Sequence, residues 1–385
     1  MSSLQPLNRR RVMGKEVLPP LQLRCIKFTM QTAGSVTLSI PAGVTASDYQ
    51  YAEWSRDGRT WIRETNDGNA HNITTGNIPA GGIVYFRGKG TRMANSTTIY
   101  CHFVIPDDLR VACSGDIRSM LEPEQADWEH ITTLPDYCFF KLFFYDRSLT
   151  ALPDLPATSI GAYAYAEMFE GLDAQECTAM SVLPATTVGH HAYYQMFYAA
   201  LITNAPAMSV TELPESACEE MFQSTSSLTT PPELLVTRAG KSAMKYMFRS
   251  SGITSVPDLR LVTITGSFVC QGMFENCQGL TKAPALPATT LYNGDYYMMF
   301  YGCRNLTQAP VLPAARLSAY AYGSMFQNCI KLAAVTMLAT DISATSCLDN
   351  WLANVAASGV ITKAAGTTLP AGASGVPSGW TTQDN

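Results

Sequence analysis

Apolar residues recur along this chain with a long period. The pair Met-Phe stands at Met168, Met196, Met221, Met247, Met273, Met299 and Met325, at spacings of 28, 25, 26, 26, 26 and 26 residues. A fixed period of this size marks a repeat architecture in which one small unit is stacked many times. Stepping 26 residues back from Met168 and forward from Met325 reaches Leu142-Phe143 and Trp351-Leu352, so nine coils are expected between about Thr133 and Lys363. The best copies read Cys270, Met273, Phe274, Cys277, then Tyr296, Met299, Phe300, Cys303, then Tyr322, Met325, Phe326, Cys329, and the last reads Leu348, Trp351, Leu352, Val355. The spacing i, i+3, i+4, i+7 predicts a short helix that buries one stripe. Asn276, Gly302 and Asn328, three residues past the methionine, suit a left-handed residue that stops it.

A second module follows each stripe. Leu280 to Leu291 and Leu306 to Leu317 alternate apolar and polar residues around Pro287 and Pro313, which predicts an extended segment and a turn. Proline removes a ladder donor, so pairing between coils should be short and interrupted. At ~4.8 Å per coil, nine coils would build a rod of roughly 40 Å.

Residues 21–115 lack the repeat. They alternate in the manner of strands, broken at Asp57-Gly58, Asp67-Gly68 and Gly81-Gly82, and predict an antiparallel β-domain of sandwich type. The expected organisation is an arm at 1–20, the β-domain at 21–115, a connector and cap at 116–132, the coils at 133–363, and a terminal cap or tail at 364–385.

Charged residues make up only 15% of the 385 residues, and the net charge is −5. The polar surface must then be built from hydroxyls, amides and the 18 tyrosines, and it recognises partners at short range rather than by long-range fields. A nucleic-acid ligand is not expected, because it needs a basic footprint. Membrane insertion is not expected either, since no run approaches ~18 apolar residues. The N-terminal cluster Arg9-Arg10-Arg11 is followed by Lys15, Glu16, Pro19 and Pro20, which interrupt any signal-peptide core.

The string from Met273 to Thr289, Met-Phe-x-x-Cys-x-x-Leu-Thr-x-x-Pro-x-Leu-Pro-Ala-Thr, resembles the BspA-like leucine-rich repeat surface proteins of gut bacteria and of the phages that infect them. The segment Tyr51 to Trp61, with Ile78 to Gly82, is similar to the β-domain that often precedes such repeats. The resemblance implies an α+β fold, the β-domain followed by a right-handed leucine-rich-repeat solenoid, and a role in adhesion or host recognition without catalysis. Four coils depart from the motif, with Leu172, Ala200, Thr225 and Ser251 where it has cysteine.

The candidate chemistry is sparse. Eleven cysteines are present without a Cys-x-x-Cys pair, and three of them recur at the coil period, so they read as core thiols kept reduced rather than as zinc ligands. His190 and His191 fall in columns that hold every residue type, which reads as a solvated edge. Hydrolysis of a glycan needs two carboxylates across a bond, yet Glu219 and Glu220 face Lys245 and Tyr246 one coil on. No catalytic residue, metal or cofactor is therefore assigned. Tyr165, Tyr193, Tyr296 and Tyr322 belong to the buried stripe. Tyr194, Tyr198, Tyr297 and Tyr301 stand two residues before or after the methionine, outside that stripe, and form the candidate ligand-contact ridge. Arg9, Arg10, Arg11 and Lys15 form a candidate attachment arm for docking onto another protein.

Together these readings lead to a non-enzymatic virion component of a gut-bacterial phage, a tail or head fibre or decoration protein. Its partners would be other virion proteins and a host-surface glycan or protein, with homo-oligomerisation left open. The alternatives are a secreted or surface-anchored bacterial adhesin and, less in keeping with the scattered acids, a glycan depolymerase.

Overall fold

In the computed structural model, residues 11–12, 15–16, 24–122, 128, 130–173, 179–256 and 259–385 are described. The N-terminal part begins with a hairpin of β1 (Arg11–Val12) and β2 (Lys15–Glu16). It continues through β3 (Ile26–Met30), β4 (Thr37–Ile40), β5 (Tyr49–Ser55), β6 (Ile62–Thr65), β7 (His71–Thr74), β8 (Ile83–Gly90), β9 (His102–Val104) and β10 (Val111–Ser114). Short strands β11 (Thr133–Leu134) and β12 (Leu149–Ala151) follow. One sheet runs β12-β10-β3-β8-β5-β6 and a second runs β7-β4-β9.

Alternation explains the faces. In β3 and β4 every second residue is buried, so Phe28 of β3, Phe86 of β8 and Phe103 of β9 meet between the sheets at centroid distances of 4.9 to 5.7 Å. The boundary expected at residue 115 is not a break in packing. Strand β12 joins the first sheet in parallel beside β10, and Phe143 stacks on Phe103 at 5.3 Å. From Phe143 the rings continue through Phe169, Phe197, Phe222, Phe248, Phe274 and Phe300 to Phe326 at 5.5 to 5.8 Å.

The structure overturns the α+β expectation and the right-handed leucine-rich-repeat solenoid with a helix in each coil. Among the described residues the regular structure is nearly all β, in seven small sheets. Apart from Arg24, helical geometry among the described residues is confined to one 3-10 turn, Ile117–Met120, capped by Asp116. Along the coils, two-residue strands pair in parallel with the next repeat, as at Thr133↔Ser159↔Thr187 and Glu212↔Arg238↔Thr263. Among the described residues beyond β12, longer strands occur only near the end, at Ala334–Met337, Gly359–Lys363 and Trp380–Asp384.

In place of helices, the Met-Phe segments are ribbons of successive turns. Every fourth residue is left-handed, five and one residues before the methionine position and three after it, as at Tyr163, Glu167 and Gly171, or Ser242, Tyr246 and Ser250. All 23 non-glycine residues of positive φ among the described residues occupy these columns, and Gly171, Gly272, Gly294 and Gly302 stand in them too.

The amides alternate between two kinds of partner. Ala164, Ala166 and Met168 donate to the carbonyl three residues back at 3.3 to 3.4 Å, whereas Tyr165, Glu167 and Phe169 donate to Ala192, Tyr194 and Met196 on the next coil at 2.8 to 3.0 Å. This explains why the helix loses. A two-turn helix leaves its first four N–H groups and last four carbonyls without partners and is marginal at that length. The ribbon hands those groups to its neighbours, which offsets about 1–2 kcal/mol for each left-handed residue.

Both ends of the stack are covered. Met93 and Phe103 of the β-domain donate to the carbonyls of Cys138 and Leu142 on the first coil, each at 2.8 Å. On the last coil Leu352 donates to the Ala373 carbonyl at 3.2 Å, Asn350 to Ser374 Oγ at 3.0 Å, and Trp351 Nε1 to the Gly375 carbonyl at 3.0 Å.

Candidate ligand-binding face

A period of four turns two residues inward and two outward. Tyr165 and Met168 with Phe169, like Tyr193 and Met196 with Phe197, are buried to 1% exposure or less. The columns five, two and one residues before the methionine, and two and three after it, supply the outward face.

Rings gather at the β-domain end of this face. Tyr137 and Tyr163, from adjacent coils, stack at 5.0 Å and 2°, and Tyr163 stacks on His191 at 4.6 Å and 12°. Tyr194 tilts against His191 at 5.6 Å. Phe140 extends the group to Tyr100 of the β-domain at 5.6 Å. The left-handed backbone at Tyr137, Tyr163 and His191 aims these side chains along the stack, so equivalent rings overlie each other. Apart from buried Phe140, the rings of this group are half-buried.

His190 and His191 approach through their Nδ1 atoms at 3.1 Å, one donating and the other accepting. Burial, with His190 beside it, holds His191 below the usual imidazole range. His190 is exposed, but His191 is half-buried against a ring, which departs from the solvated edge expected of both.

Ion pairs between coils flank the rings. Lys141 pairs with Glu167 at 2.8 Å, Lys241 with Glu215 at 2.7 Å, Lys245 with Glu219 at 3.0 Å and Arg249 with Glu275 at 3.2 Å. Gln195 Nε2 donates to Glu220 Oε2 at 2.7 Å. Tyr194 lies among these acids, and burial followed by Glu220 and Glu219 raises its hydroxyl pKa.

The ridge expected from the sequence divides in two. Tyr194 and Tyr198 are half-buried on the third coil, Tyr297 and Tyr301 half-buried on the seventh, about 19 Å away at ~4.8 Å per coil. Only Tyr194 joins the ring cluster; Tyr297 instead meets Tyr320 at 6.1 Å. The spacing of the repeat already places Tyr137, Tyr163 and His191 in one column, a signal that sequence reasoning passed over by weighing only the two histidines. Of the candidate arm, Arg9 and Arg10 lie outside the described residues, and Arg11 and Lys15 stand on the strands of the β1–β2 hairpin.

Among the described residues no three His, Cys, Asp or Glu side chains form a set able to hold a metal ion. No helix among them is long and apolar enough to cross a membrane. No protein-family model matches the chain, and no curated protein sequence matches it.

Proposed function

We propose that this chain is a non-enzymatic binding protein, a virion component of a phage of gut bacteria that presents the outward columns of its stacked turns to a host-surface glycan or protein. The observation that carries the reading is the half-buried ring column Tyr137, Tyr163, His191 with Tyr194 beside it. Flat rings held at fixed spacing on a rigid support offer apolar area to a sugar face or a protein side chain, with carboxylates close by for hydrogen bonds. Single contacts of this kind are weak, and many copies on one particle would make them effective.

The thiols favour the virion over a secreted adhesin. Cys101, Cys138, Cys218, Cys270, Cys277, Cys303, Cys329 and Cys347 are buried outside any disulfide, in keeping with assembly in a reducing compartment. The test is retention of the purified chain on envelopes of the host bacterium, beside mass spectrometry of purified particles. The proposal expects the chain in particles, and at least tenfold weaker retention for the variant Tyr163→Ala with His191→Ala. Unchanged retention removes the ring face from the argument, and absence from particles removes the virion.

A further inference from the structure

The last strand of the stack, Trp380–Asp384, is paired on one side only. It lies parallel to Gly359–Lys363 over its whole length, and among the described residues no strand pairs with its other side. At five residues it is the longest edge strand of the described sheets.

One hydrogen bond fixes which backbone groups stand on the open side. The Asn385 amide donates to the Lys363 carbonyl at 2.8 Å, so Thr381 and Gln383, which alternate with it, also turn their backbone groups to that neighbour. Thr382 and Asp384 therefore present both N–H and C=O on the open side. Trp380 presents its carbonyl there, while its amide donates to the Pro377 carbonyl at 3.1 Å.

Edge strands of natural proteins are usually blunted by charges, a proline or a bulge. The edge of the six-stranded sheet, β6, carries Arg63 and Glu64. The last strand holds no proline and runs in unbroken register. Its one charge, on Asp384, is bound to Lys363 of the neighbouring strand, and residues 364–379 just before it include no charged residue. Thr381, Thr382, Gln383 and Asp384 are all exposed.

We infer that this edge pairs antiparallel with the same edge of a second copy of the chain, across a two-fold axis at Thr382. The donors and acceptors are their own complement about that residue. Thr382 exchanges both of its bonds with Thr382 of the second copy, and each Asp384 amide meets the Trp380 carbonyl of the other. Thr381 comes opposite Gln383, and Asp384 opposite Trp380, so no like charges face each other. A patch that contacts itself about a two-fold axis closes at two copies. The four-stranded sheet that ends each stack then runs on into its counterpart, with the two β-domains at the far ends. This pairing does not depend on what the ring face binds, and it gives each assembly two such faces.

Sedimentation velocity of the full chain over a concentration series tests this, with thermal melts to establish that each variant is folded. A reversible monomer–dimer equilibrium is expected. Thr382→Pro, which removes the central donor, and Thr382→Lys, which sets two ammonium groups across the axis, should each weaken association at least tenfold. The lysine variant keeps the amide, so it decides the matter if proline disturbs the last coil, and its loss should shrink in high salt. Under mild oxidation Thr382→Cys should cross-link to itself, since paired α-carbons there stand ~5.5 Å apart, whereas Thr381→Cys and the unsubstituted chain should not. A monomer at every concentration overturns the inference. So do a trimer or larger assembly, a dimer indifferent to both Thr382→Pro and Thr382→Lys, and equal cross-linking through positions 381 and 382.

Discussion

Cys303 donates its thiol proton to the carbonyl oxygen of Phe274, one coil back, at 3.0 Å. Cys277 does the same to Phe248 at 3.0 Å and Cys329 to Phe300 at 3.1 Å. The cysteine column is therefore a ladder of hydrogen bonds as well as apolar filling. Where Thr225 replaces the motif's cysteine, the hydroxyl turns to the Phe222 carbonyl of its own coil at 2.7 Å.

Replacing Cys303 by alanine should lower stability by about 1–2 kcal/mol, because it leaves a buried carbonyl without this donor and opens a small void. Serine keeps a donor and should recover part of the loss. Urea midpoints of the two variants decide the matter, and equal midpoints would show that the thiol only fills space.

Stability should fall as pH rises towards neutral. Burial pushes Asp146 and Asp295 up to about 7, against ~3.9 for an unfolded aspartate. A raised carboxyl holds its proton in the folded chain at pH values where the unfolded chain has lost it. Its contribution is present in full below about pH 4 and is lost as pH climbs through about 7. Melting temperatures should decline between pH 5 and 7.5, and less steeply in Asp295→Asn, which has no proton to lose; an identical slope in that variant would acquit Asp295.

Gly272 is required by a ring. A Cβ there would lie 2.3 Å from Tyr246, and the backbone φ is +56°. Gly272→Ala should cost well over the ~1 kcal/mol of the left-handed conformation alone. Adding Tyr246→Ala should restore the excess but not the conformational part, so a double-mutant cycle should show coupling above about 1 kcal/mol. Additive effects would mean that the ring moves aside freely.

The left-handed columns predict a distinctive substitution profile. At Ser250, which is exposed with φ +57°, glycine should be neutral or stabilising by up to about 1 kcal/mol. Valine should destabilise, because branching at Cβ is poorly tolerated there. In an ordinary helix glycine would be the damaging change, so thermal melts of the two variants report directly on the backbone.

Much of this arrangement was legible in the spacing of Met-Phe pairs. Thr133, Ser159 and Thr187 pair in the order the repeat implies, and Met273, Phe274 and Cys277 are fully buried. The conformation beneath the stripe was not legible, for a simple reason. Over eight residues, periods of 3.6 and 4 drift apart by less than one residue, so Cys270, Met273, Phe274 and Cys277 fit both. A distinguishing signal lay in Gly294 and Gly302, or Ser346, Asn350 and Asn354, small or turn-forming residues set four or eight apart. One such residue at the end of a stripe reads as a helix stop; recurring inside it, they rule a helix out.

The alternation of hydrogen bonds within and between coils also decides how the molecule would respond to force. Every coil relies on the next for about half of its amide partners, so under tension the chain should not give way all at once. It should unzip from an end, each step freeing about 26 residues, or roughly 90 Å of contour at full extension. A stack built this way would behave as a mechanical fuse, lengthening stepwise under load while the remaining coils stay folded.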